Sequence, residues 1–227
     1  MKVRNNIMIL DTETIGNFGK PLVHDVGFVI VDKNFTILYK DRILVEELHK
    51  KALWLLNSNS FYSERKKDYE MARKTEKIMP WAKISKHMAD MIRHYHVGTV
   101  SAYNLQFDYR ALKYTDDFFS DNHISKILDE KSKYKLCIYN LACETILNTE
   151  NYHNFAKAHN LISEKGNYKT NAESAYQYIT GNTEYIEKHT SLSDSLDEME
   201  ILKYIVRNVK KCDKKYGLYY NCWMKAQ

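Results

Sequence analysis

The 227 residues are 44% hydrophobic, 13% aromatic and 28% charged, with only seven Gly and two Pro. That balance excludes a disordered or low-complexity chain and allows one domain with a sizeable core. Thirty-four basic against 29 acidic residues leave a net charge of +5, which permits a polyanionic partner without requiring one.

Between Lys203 and Lys225 seven Lys and Arg face the single acid Asp213, so the surplus sits in the tail. There the cations serve either phosphate contact or the negative end of a last helix. The apolar stretch Ile7 to Leu10 is halted by Asp11, too early for a signal-peptide core, and no run reaches a membrane span. Cys137, Cys143, Cys212 and Cys222 show no Cys-x-x-Cys pairing, so neither a zinc knuckle nor a disulfide framework is expected. The chain reads as cytoplasmic, with reduced thiols and no membrane partner.

In chain order, residues 6–10 form a strand apolar on both faces and therefore central, followed by a loop through Gly16, Gly19 and Pro21. Residues 26–32 predict a second strand and 36–45 a third, an antiparallel meander turning at Lys33-Asn34. Residues 46–96 become helical and charged, with breaks at Asn57-Ser58-Asn59-Ser60 and Pro80, and read as a helical insertion between the third and fourth strands. Residues 98–103 predict the fourth strand, 105–114 a short helix and 135–139 the fifth strand. The remainder is mostly helix, broken at Gly166 and Gly181 before a long last segment over 192–211. A meander followed by alternating helix and strand predicts a single α/β domain over 1–227, a mixed five-stranded sheet flanked by helices.

Three acidic stretches stand at the ends of these elements. In Asp11-Thr12-Glu13-Thr14 the carboxylates at i and i+2 of an extended backbone project from one side, able to reach one cation; alone, the pattern also fits a solvated loop. In Ser101-Ala-Tyr-Asn-Leu-Gln-Phe-Asp108, Asn104 is placed as a helix N-cap and Asp108 in the first turn. There Asp108 either compensates the helix dipole beside Arg110 or faces Asp11 across parallel neighbours. In His189-Thr-Ser-Leu-Ser-Asp194, Ser191 and Asp194 have capping-box spacing, while the five-residue interval lets His189 and Asp194 share a site. His87, His94 and His96 read as helix surface.

Taken in this order, the three stretches resemble the motifs of the DEDDh group of 3′-to-5′ exonucleases, which are DnaQ-like and have an RNase H-like fold. The resemblance runs from the first strand to the last helix. It departs at Tyr103, where the family often has His, and at Ile15, where it often has Thr; neither is a metal ligand.

The resemblance implies a hydrolase that cuts phosphodiester bonds at the 3′ end of DNA, single-stranded or frayed, and releases mononucleotides. It implies two divalent cations, Mg²⁺ or Mn²⁺, roughly 4 Å apart, held by Asp11, Glu13, Asp108 and Asp194, with Asp11 bridging both. His189 would take the proton from the attacking water, a role suited to a reference pKa of about 6.5. Thr12, Thr14, Ile15, Asn104 and Phe107 would border the substrate, Thr14 and Ile15 meeting the terminal sugar and base, although Phe107 suits core packing better. DNA is expected ahead of RNA, and a polymerase or other replication protein is the expected kind of protein partner. Two alternatives stay open: an exoribonuclease, separated by whether a 2′-hydroxyl is read, and a catalytically silent nucleic-acid- or protein-binding module on the same fold. The helical insertion carries no assigned role.

Overall fold

The computed structural model describes residues 5–16, 19–119, 123–130 and 133–208. Most of the basic tail, together with Cys212 and Cys222, lies outside the described residues; Cys137 and Cys143 are buried free thiols. Of the basic cluster, Lys203 is paired with Glu200 at 2.8 Å and Arg207 is exposed.

Six strands form one mixed sheet: β1 (Asn6–Ile15), β2 (Leu22–Val31), β3 (Ile37–Val45), β4 (Lys77–Met79), β5 (Val97–Ala102) and β6 (Tyr134–Cys137), in the order β4-β3-β2-β1-β5-β6. β1, β2 and β3 are an antiparallel meander, and β5 and β6 continue the sheet parallel to β1. The α/β architecture is as expected, with one addition. The insertion contributes β4, which pairs in parallel with the edge of β3 from Ile43 to Val45.

The helices follow as α1 (Leu53–Asn57), α2 (Ser60–Glu64), α3 (Lys66–Thr75) and α4 (Trp81–His94) within the insertion, then α5 (Leu105–Phe118) and α6 (His123–Leu128). After β6 come α7 (Ile138–Ala142), α8 (Glu150–Ala158), α9 (Ala172–Thr180) and α10 (Ser191–Asn208). Single π-helical turns lie at Glu47–Lys51 and Cys143–Leu147. Among the described residues no helix is long and apolar enough to cross a membrane.

β1 has helices on both faces, which its alternation dictates. Met8 and Leu10 enter a core with Trp81 and Ile84 of α4 and Ala111 and Leu112 of α5. Ile7 and Ile9 enter the opposite core with Ile138 of α7, Tyr152 of α8 and Met199, Leu202 and Ile205 of α10. The strand does not stop at Leu10, because its antiparallel pairing with β2 continues through Asp11↔Gly27 and Glu13↔Asp25. Asp11 and Glu13 thus carry on the Ile7-Ile9 face, under α10.

Between Glu13 and Thr14 the partner on β2 steps from Asp25 to Val23, leaving His24 as an extra residue. Such a bulge re-aims side chains. His24 is thrown among His49, Tyr62 and Tyr69 of the insertion, with its Nδ1 3.4 Å from His49 Nε2. The insertion is therefore anchored on the strand that bears the acids' partners.

Burial holds both imidazoles neutral, His24 down to about 3 and His49 to about 4. In the unfolded chain they titrate near 6.5, so their contribution is complete above that pH and drains away as pH falls towards 4 and 3. Each group then costs about 2 kcal/mol at pH 5. His49→Gln should therefore lose about 2 kcal/mol less than the unsubstituted protein between pH 7 and pH 5 in urea unfolding; an equal loss would show that His49 is not held neutral.

Candidate active site

Where the Ile7-Ile9 face of β1 gives way to Asp11 and Glu13, the N-terminal turn of α10 comes down on the sheet. Gly27 of β2 makes this possible: a Cβ there would lie 2.2 Å from Leu192 N and Ser191 C, both backbone atoms. The absent side chain is what lets the helix touch the strand. Ser195 Oγ lies 3.0 Å from the Gly27 carbonyl, and Ser191 Oγ donates to Asp25 Oδ1 at 2.6 Å. Ser191 is thus tied to β2, and the Asp194 N–H goes to the Thr190 carbonyl at 3.0 Å, in place of the anticipated capping box.

Asp25 is fully buried and is the anchor of this corner. It takes Arg42 in a two-pronged ion pair at 2.7 and 3.1 Å and Tyr69 Oη at 3.2 Å as well as Ser191. Removing one partner of such a buried pair typically costs 3–5 kcal/mol. Through Asp25 the insertion, by way of Tyr69, and α10, by way of Ser191, are fixed to the same carboxylate.

The consequence is convergence. Ligand oxygens of Asp11, Glu13 and Asp194 lie within 4.8 Å of one another. Asp108, in the first turn of α5, is buried beside them, and its Oδ1 accepts from Thr12 N at 3.1 Å and Thr12 Oγ1 at 2.8 Å. A fifth carboxylate, Glu198, lies one turn beyond Asp194 and is also buried.

Burial, and then the neighbouring Asp108, Glu13, Glu198 and Asp194, hold Asp11 well above the usual carboxylate range. Burial raises Glu13, with Asp25 and Asp194 adding to it and Arg65 opposing. Burial pushes Asp108 up to about 7 against the two Thr12 hydrogen bonds, and Asp194 up to about 8 with help from Glu187 and Asp197. Asp194 Oδ1 and Glu198 Oε2 are buried with no hydrogen-bond partner. Oxygen-only donors, mutual repulsion and orphaned carboxylate oxygens together fit a hard divalent cation.

His189 stands just before α10 in left-handed backbone, φ 52°, a conformation uncommon for a non-glycine residue. Its Nδ1 is 3.9 Å from Glu187 Oε2, and partial burial with the Arg65 charge lowers its pKa. Arg65, at the junction of α2 and α3, also bears electrostatically on Glu13 and Glu187. The insertion thus brings a cation to an acidic site.

The residues expected to border substrate are placed less uniformly. Thr12 is buried and committed to Asp108. Ile15, 3% exposed, packs in the core with Met8 and Leu10, because the bulge at His24 turns it away from the Asp11 face. It has no surface to lay against a base. Asn104 is exposed and precedes α5 without a side-chain capping bond; its carbonyl accepts from Phe107 N at 2.7 Å. Thr14 and Phe107 are half-buried. Asp108 is partnered by Thr12, whereas Arg110 is exposed. His87, expected at the surface, is held at 3.1 Å from Asp41 Oδ2. Beside Thr190 a cleft of about 520 Å³ opens between α3 and the segment before α10. Its lining mixes the acids Asp68, Glu76 and Glu187 with Arg42 and Lys188.

No protein-family model and no curated protein matches the sequence. Solved structures do. E. coli exonuclease I in complex with a dA16 oligonucleotide superposes with a TM-score of 0.57 at 11% identity, over 90% of this chain and 41% of that one. The chain shares the fold of that part of exonuclease I. A product-bound exonuclease I gives 0.57 at 10% identity over 90% of this chain and 44% of that one. The zinc-bound form of the E. coli exonuclease I complex with single-stranded DNA gives 0.58 at 11% identity, covering 92% and 42%. The chain therefore spans less than half the length of these exonuclease I chains, and at such identities the likeness is one of fold.

Proposed function

We propose that this chain is a metal-dependent 3′-to-5′ exonuclease acting on single-stranded or frayed DNA and releasing mononucleotides. The observation that carries this reading is the meeting of Asp11, Glu13 and Asp194 within 4.8 Å, with an orphaned Asp194 oxygen, beside a buried Asp108. The fold adds to it, since E. coli exonuclease I binds dA16 and has a zinc-bound form.

Asp11, Glu13, Asp108 and Asp194 would hold Mg²⁺ or Mn²⁺, which when bound stabilises charge developing on the scissile phosphate and lowers the pKa of water. Asp11 feels the charges of Asp108, Glu13, Glu198 and Asp194, a repulsion that a cation held there would relieve. Thr12 fixes Asp108 by two hydrogen bonds, leaving one oxygen for the cation. His189, whose Nδ1 stands 3.9 Å from Glu187 Oε2, would accept the proton of the attacking water. Partial burial and the Arg65 charge lower its pKa, which favours the neutral imidazole that a base must be.

His189→Ala should cost about 10²-fold or more in rate and abolish the acid limb of the pH profile, a limb expected below pH 6.5 in the unsubstituted enzyme because its pKa is lowered. An unchanged limb would assign the base elsewhere. Substrate class is tested with 5′-labelled single-stranded DNA, duplex DNA and RNA of one sequence. Ladders shortened from the 3′ end, fastest on single-stranded DNA, are expected; faster cleavage of RNA would make the chain an exoribonuclease.

A further inference from the structure

The hydroxyl of Tyr69 is more than its packing requires. The side chain is 2% exposed, stacked on Tyr62 with ring centroids 4.9 Å apart and covered by Arg42 at 5.6 Å, a setting that Phe would fill as well. A buried phenol needs a hydrogen-bond partner. The partner here is Asp25, whose Oδ2 accepts from Tyr69 Oη at 3.2 Å, and Asp25 is also the carboxylate that holds the start of α10.

Asp25 is saturated. Its Oδ2 takes Arg42 Nη2 at 2.7 Å and Arg42 Nε at 3.1 Å besides Tyr69, and its Oδ1 takes Ser191 Oγ at 2.6 Å and Arg42 Nε at 3.2 Å. Arg42 and Tyr69 therefore fix the plane of the carboxylate, and that plane fixes where Ser191 sits. One helical turn on, Ser195 Oγ lies 3.0 Å from the Gly27 carbonyl of the same strand. Asp194 falls between these two anchors, and His189 is two residues before the first. Between α3 and residues 186–190 the structure opens into a cleft; Asp25 joins its two walls.

We propose that Tyr69 and Arg42 are positioning residues of the metal centre, acting through Asp25 and Ser191 on Asp194. The insertion is then needed for the reaction although it supplies none of the four carboxylate ligands. The inference rests on the metal-dependent reading and extends it.

The test is a double-substitution cycle in the full chain, with 5′-labelled single-stranded DNA and Mn²⁺ as the probes. Tyr69→Phe keeps the ring and removes only the hydroxyl; Ser191→Ala removes the other end of the link. Each should lower kcat about tenfold, a cost typical of groups that orient metal ligands, with KM unchanged within about twofold. Because both act through one carboxylate, the double variant should also lose about tenfold, where independent sites would lose roughly a hundredfold. Mn²⁺ affinity, measured calorimetrically, should fall in the same non-additive pattern, which a general loss of stability would not produce. If Mn²⁺ binds without cleavage, the affinity cycle alone decides. Tyr62→Phe removes a hydroxyl that accepts from Arg73 at 2.6 Å in the same insertion, and it should leave kcat within about twofold of the unsubstituted protein. Circular dichroism checks that each variant is folded. Multiplicative losses, or a Tyr69→Phe protein as active as Tyr62→Phe, would overturn the proposal and leave the metal reading standing. An unsubstituted protein that neither binds Mn²⁺ nor shortens the DNA would overturn both.

Discussion

Asp11→Asn should reduce nucleotide release to the background of the assay and, with divalent cations removed, should make the protein more stable. Both halves follow from the same geometry. Asp11 is hemmed in by Asp108, Glu13, Glu198 and Asp194, so in the absence of a cation its charge is buried amid like charges. Replacing it by an isosteric amide relieves that repulsion. A gain of about 1 kcal/mol would raise the melting midpoint of a chain this size by about 2–4 °C. Added Mg²⁺ or Mn²⁺ should raise the midpoint of the unsubstituted protein and have little effect on the variant. Loss of stability in Asp11→Asn under chelation would mean that the carboxylate serves the fold rather than a ligand.

Gly27→Ala should cost at least 10²-fold in rate although residue 27 carries no functional side chain. The added Cβ would meet Leu192 N and Ser191 C at 2.2 Å, and backbone atoms cannot yield as a flexible side-chain tip can. The start of α10 must lift off β2 by about an ångström, taking Ser191 from Asp25 and Asp194 from Asp11 and Glu13. A misplacement of about 1 Å at a catalytic centre costs about 10² in rate, and overpacking adds about 1–3 kcal/mol of destabilisation. Normal kinetics in a folded Gly27→Ala protein would show that the α10–β2 contact does not position Asp194.

The acidic pair was legible because strand alternation is rigid: Ile7, Ile9, Asp11 and Glu13 share a face whatever packs on it. Their convergence with Asp194 rests on the close approach at Gly27, which neither composition nor periodicity reports. Ile15 illustrates the limit. Alternation places it on the Asp11 face, but one extra residue on the neighbouring strand, His24, turns it into the core. Asp25 escaped notice because the expected second strand began at residue 26, whereas β2 starts at Leu22, and the acid shows its purpose only with Arg42, Tyr69 and Ser191 around it. Glu198 did leave a signal: an acid at i+4 from Asp194, on the face that continues into Ile201, Leu202 and Ile205, is out of pattern for a buried helix stripe. The insertion, without an assigned role in the sequence, supplies β4, the Tyr69 bond to Asp25 and the Arg65 charge.

The centre is tested most directly by release of a 3′-terminal labelled nucleotide from single-stranded DNA, with Mn²⁺ and with excess EDTA. Labelled mononucleotide should appear at once with Mn²⁺, vanish with EDTA and return when Mn²⁺ is restored. Release that persists in EDTA, or intact DNA with Mn²⁺ bound, would contradict a metal-dependent 3′-to-5′ nuclease.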